Sequence, residues 1–159
     1  METFSRKKQK GNTCVPTVME YISKMIDPDD YVKRRKFIKY YQTIVDEKHD
    51  TIHNVKVKGV PNVYVASGVV NFFKERLGSV AYSTTEFDYK KAIDNKNVVM
   101  TNVSISSTEW HNILIIGYTT VGNYIYIDPN DNENFYICSE EYLKSNNSYK
   151  YSFEIKINK

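Results

Sequence analysis

Only two cysteines, one tryptophan, three histidines and four prolines occur among the 159 residues. Two cysteines do not make a disulfide framework, so a small stapled secreted scaffold is excluded. No apolar run is long enough to span a membrane, and the longest is only a strand's worth. The stretch Met1–Lys8 lacks the apolar core of a secretory signal. A cytoplasmic chain is therefore expected, with secretion left open if a leader has been removed. There is no Gly-rich phosphate loop and no Gly-x-Ser-x-Gly elbow. His49 and His53 form an i, i+4 pair without a cysteine or His-Glu-x-x-His pattern, so no metal and no other cofactor is expected.

What is present is a folding chain. Hydrophobic residues make up 41%, and tyrosine is abundant at fourteen. That is enough apolar material for one domain with a real core. The formal net charge is +3, unevenly spread. Residues 1–60 carry 13 Lys/Arg against 8 Asp/Glu, whereas the remainder carries 9 against 11. The clusters Arg6-Lys7-Lys8-Gln9-Lys10 and Lys33-Arg34-Arg35-Lys36 read as an N-terminal arm and the wet face of a helix. They lack aromatic interleaving or a nucleic-acid motif, so a nucleic-acid partner is not expected.

No linker, repeat or low-complexity block divides the chain, so residues 1–159 are read as a single domain. A helix is expected from Asn12 or Thr13, either able to cap it, with Val15, Val18, Met19, Ile22 and Ile26 at helical spacing. Asp27-Pro28-Asp29-Asp30 breaks it, the last two acids opening a second helix that runs to about Asp46. Residues 49–62 read as irregular. Ser67 is the expected cap of a third helix that Gly78 stops, and Thr85 with Asp88 the capping box of a short fourth. Strands follow at Val98–Ser104, Asn112–Tyr118, Asn123–Ile127, Phe135–Cys138 and Tyr149–Ile157, with a helical turn over Ser139–Lys144. The order is α+β, N-terminal helices packed on a C-terminal antiparallel sheet.

Three residues in this layout carry chemistry. Cys14 stands at the mouth of the first helix, where unpaired N–H groups and the positive dipole end favour a thiolate. His111 leads into one strand and Asp128 leaves the next. A thiol that attacks a carbonyl needs a nearby base, and a carboxylate behind an imidazole fixes its tautomer. Each residue alone is more often structural. Together, in order and each at an element boundary, they form the parts of a cysteine hydrolase. Cys138, in a short alternating strand, is expected to pack.

Asn12-Thr13-Cys14-Val15-Pro16-Thr17 resembles the Asn-x-Cys-Gly-Pro-Thr motif of papain-like cysteine peptidases, with Val15 where glycine is usual. Trp110-His111 through Gly117-Tyr118, then Tyr124–Pro129, is similar to the His…Gly-Tyr…Asp-Pro block of the bacteriocin double-glycine leader peptidases and their stand-alone relatives. The resemblance implies a papain-like fold and a peptide or protein substrate. It implies Cys14 as nucleophile, His111 as base and then acid, and Asp128 as the orienting acid. It also implies a glutamine upstream of the cysteine as oxyanion donor. Gln9 stands five residues before Cys14 where six is common, and Asn12 is the alternative. Residues 27–66 carry no recognised motif of the resemblance and read as a helical insertion of no direct role, with a peptide-holding exosite as the other reading. An acyltransferase or amidase using the same three residues, and a silent domain that binds a peptide or partner protein, are the competing functions. Oligomeric state is not legible.

Overall fold

A computed structural model describes residues 12–48, 54–77, 81–83, 87–105, 110–144 and 151–158. Helix α1 (Cys14–Ile26) begins at the expected place, and Val18, Met19 and Ile22 on its inner face are fully buried. Each such side chain contributes roughly 1.5–3 kcal/mol by leaving water. Helix α2 (Arg34–Lys48) buries Phe37, Tyr41 and Val45 and leaves Lys33, Arg35 and Lys36 exposed, as the basic cluster predicted. Its start corrects the expectation for Asp29 and Asp30. The Asp27 carboxylate accepts both of their backbone N–H groups, which holds them in a turn. The carboxylate at the mouth of α2 is Glu20 of α1, which accepts from the Arg34 N–H at 2.6 Å.

A short helix α3 (Val55–Lys58) stands in the stretch read as irregular, capped by Asn54. Helix α4 (Asn62–Leu77) starts five residues before Ser67, which is not its cap but an exposed mid-helix residue whose hydroxyl donates to the Tyr64 carbonyl. The overlooked start signal is Pro61, whose carbonyl accepts from the Tyr64 N–H at the first turn. Gly68 of α4 lets α2 approach. A Cβ there would lie 2.3 Å from the Tyr41 ring, and the Tyr41 and Tyr40 hydroxyls donate to the carbonyls of Val65 and Gly68. Gly68→Ala is expected to destabilise the fold by about 2 kcal/mol in urea unfolding, overpacking outweighing the gain in helix propensity.

Six strands form one antiparallel sheet in the order β1-β6-β2-β3-β4-β5. They are β1 (Ala81–Ser83), β2 (Val98–Ser104), β3 (Trp110–Tyr118), β4 (Tyr124–Ile127), β5 (Tyr136–Cys138) and β6 (Ser152–Ile155). β1 was not foreseen in the sequence. β3 is central and largely buried, as its apolar run predicted. Met100, Leu114, Ile127 and Phe153 pack with α1, α2 and α4 on one face. Val99, Ile113, Ile115 and Tyr124 pack on the other against α5 (Tyr89–Asp94) and α6 (Glu140–Leu143). Asp88 alone caps α5, and Thr85 and Gly78 lie outside the described residues. The fold is α+β, helices then antiparallel sheet. Among the described residues no helix is long and apolar enough to cross a membrane.

Candidate active site

Cys14 is the first residue of α1 and is partly exposed. Thr13 occupies the cap position without a side-chain cap bond, and the first turn holds no acidic residue. The positive end of α1 is therefore not neutralised from within the helix.

His111 is the second residue of β3 and only 8% exposed. Its Nε2 lies 2.7 Å from Asp128 Oδ1, just beyond the end of β4. The same carboxylate oxygen accepts the Asn130 backbone N–H at 2.8 Å, closing an Asx turn through Pro129. With Nε2 taken by Asp128, the other ring nitrogen is left for Cys14, to whose sulfur the imidazole hydrogen-bonds.

The pairing of β3 with β4 that leads to Asp128 is irregular. Near the turn, Tyr118 pairs with Tyr124 and Gly117 with Ile125; further on, Ile115 pairs with Tyr126 and Leu114 with Ile127. Ile116 is the extra residue of a bulge. The bulge shifts β4 by one residue against β3 just before Asp128, the residue that follows Ile127.

The electrostatics follow. Burial is the largest influence on His111 and lowers its pKa. The hydrogen bonds that the ring donates to Asp128 and Cys14, with the electrostatic attraction of both, outweigh it and raise the value to about 9. For Asp128, burial pushes upward, but the His111 and Asn130 hydrogen bonds prevail and its pKa is lowered.

A cleft of about 480 Å³ opens beside the sulfur. The α1 mouth, and Trp110, His111 and Asn112 of β3 with Tyr151 just before β6, form two sides, and Lys58–Asn62 form a third. That third wall belongs to the segment read as an insertion of no direct role, which instead reaches the site. The Asn12 amide donates to the Val57 carbonyl at 3.0 Å, tying the entry to α1 to α3. Gly59 has φ +85°, and a Cβ there would lie 3.0 Å from the Asn12 carbonyl oxygen, so only glycine suits the junction. Among the described residues lining the cleft none is acidic, and Lys58 adds positive charge.

The structure thus brings Cys14, His111 and Asp128 together. It places Asn12 at the cleft with its amide turned to Val57. Gln9, His49 and His53 lie outside the described residues. Cys138 packs, half-buried, beside the core cluster on the far face of the sheet. No group of His, Cys, Asp and Glu among the described residues could hold a metal ion. Sequence reasoning missed Tyr151 and Asn112, which line the cleft and hydrogen-bond to each other. No motif marks them, because they are 39 residues apart and meet only across the sheet.

The model of the Peptidase_C39 like family matches residues 1–153. The chain belongs to that family. The crystal structure of the peptidase domain of Streptococcus ComA, described as a bi-functional ABC transporter involved in a quorum-sensing pathway, has a TM-score of 0.62 to this C39-like chain at 11% identity. The likeness covers 97% of this chain and 100% of that one. At that identity it establishes the papain-like fold. No curated protein matches the chain.

Proposed function

We propose that this C39-like protein is a cysteine peptidase that cleaves a peptide bond through a thioacyl intermediate. The observation that carries the reading is one imidazole, His111, hydrogen-bonded to Cys14 on one side and Asp128 on the other. Family membership and the peptidase-domain neighbour agree with it. In this mechanism the Cys14 sulfur attacks the scissile carbonyl while His111 holds the thiol proton. His111 gives that proton to the leaving amine as the carbon–nitrogen bond breaks, then takes one from the water that hydrolyses the thioester. Asp128 keeps the ring oriented throughout. The cleft, without acidic lining and with Lys58 at its edge, suits a neutral or acidic peptide segment.

Alkylation by iodoacetamide at neutral pH tests the reading. Cys14 is expected to react at least about tenfold faster than Cys138, as an activated thiol does beside an ordinary one. Equal, slow labelling of both would count against an enzyme. Hydrolysis against aminolysis of the thioester, measured with an added amine, separates peptidase from transferase.

A further inference from the structure

Attack on a carbonyl puts negative charge on the carbonyl oxygen, and this charge needs donors of its own. The sulfur already has His111 beside it. One donor for the oxygen is the Cys14 backbone N–H at the open start of α1. Asn12, the side-chain alternative, already donates to Val57.

Tyr151 is placed differently. It is 5% exposed, and it lines the same cleft as Cys14 and His111. Its hydroxyl accepts a hydrogen bond from Asn112 Nδ2 at 2.8 Å. Accepting that bond turns the O–H proton away from Asn112, and among the described residues no acceptor takes it. The hydroxyl is not what holds the ring in place. The Tyr151 backbone is fixed by Asn102 and Thr101, and the ring packs on Phe153 at 5.2 Å between centroids. A buried hydroxyl with an uncommitted proton beside a nucleophile is a donor awaiting its acceptor.

We propose that the Tyr151 hydroxyl, oriented by Asn112, donates a hydrogen bond to the oxygen of the tetrahedral adduct formed at Cys14. The proposal rests on the hydrolase reading above. As the sulfur–carbon bond forms, the carbonyl π electrons move to oxygen and Tyr151 binds that oxygen without giving up its proton. Collapse restores the carbonyl and expels the leaving group. Burial first, and then negative charge at Cys14, push the Tyr151 phenol well above its ordinary range, so it remains a donor at any working pH.

The test compares two reactions of one thiol in a Cys138→Ser background. Acylation by p-nitrophenyl acetate passes through an oxyanion; alkylation by iodoacetamide does not. Tyr151→Phe is expected to lower the acylation-to-alkylation ratio about tenfold or more, in line with the loss of one oxyanion donor. Asn112→Ala, which frees the hydroxyl to rotate, is expected to lower it less. Gln9→Ala is run beside them. An unchanged ratio in Tyr151→Phe, or in folded Asn112→Ala should Tyr151→Phe not fold, overturns the proposal, as does equal loss of both reactions. Should the parent Cys14 alkylate no faster than Cys138, the hydrolase reading itself falls and takes this role with it.

Discussion

His111→Ala is expected to lower peptide hydrolysis by about ten-thousandfold or more, and Cys14→Ala to abolish it. The first loss follows from one ring doing two jobs. In the proposed mechanism it holds the proton that the Cys14 thiol gives up, and it is the donor for the leaving amine. No other histidine among the described residues stands near the sulfur to replace it. Alanine leaves the sulfur, the cleft and the α1 mouth in place, so substrate affinity should change far less than turnover. Added imidazole should restore part of the rate, because the vacated volume beside Asp128 matches the lost ring. Single-turnover kinetics with a cleaved peptide checks both statements. A variant that keeps a tenth of the parent rate would remove His111 from the mechanism, and one that loses only affinity would make it a binding residue.

The site was legible in the sequence to the extent that its parts sit at element boundaries. Cys14 announces itself by the Asn-Thr-Cys-Val-Pro run that opens α1. His111 and Asp128 flank strands whose β-branched content is unmistakable, and β2 falls on the expected residues. What was not legible depends on contacts between distant segments. The Ile116 bulge lies inside an apolar run, Ile113–Ile116, where no side chain distinguishes the extra residue. Yet it shifts the register of β4 by one residue just before Asp128. The third wall of the cleft was hidden for a similar reason. Its tie to the residues before Cys14 runs between Asn12 and Val57, 45 residues apart, and neither residue has an unusual neighbour in sequence. Helix α3 was missed because four residues carry no periodicity, although Asn54 before it and Gly59 after it are a cap and a stop. Misreading Ser67 as a cap had another cause. Serine serves equally well inside an exposed helix face, where its hydroxyl bonds back to a carbonyl one turn earlier.

Asp128→Asn is expected to slow hydrolysis by about a hundredfold to ten-thousandfold, since an amide can hold the imidazole in the wrong tautomer and cannot stabilise its cation. The pH dependence makes the prediction specific. His111 is held protonated to about pH 9 because its two negatively charged partners overcome burial. The rate should therefore fall as pH rises through about 9, where the imidazolium that donates to the leaving amine is lost. Asparagine removes one of those partners while burial remains, so the alkaline limb should move toward neutral pH. Stability follows the same titration with a definite sign. A folded value of about 9 against about 6.5 in the unfolded chain means that stability from the charged ring is fully present below about pH 6.5. It is lost as pH rises through about 9, and its full size is about 3 kcal/mol. The lowered pKa of Asp128 acts at the other end, giving stability at neutral pH that fades as the carboxylate protonates in acid. The parent melting temperature should thus decline from neutral pH toward pH 9–10, and the Asp128→Asn profile should be flatter at both ends. Asparagine still offers an oxygen to the Asn130 N–H, so the Asx turn should survive and the comparison should report charge rather than a broken loop. Superimposable melting and rate profiles for the two proteins would mean that the 2.7 Å contact between His111 and Asp128 does not govern the titration of the ring.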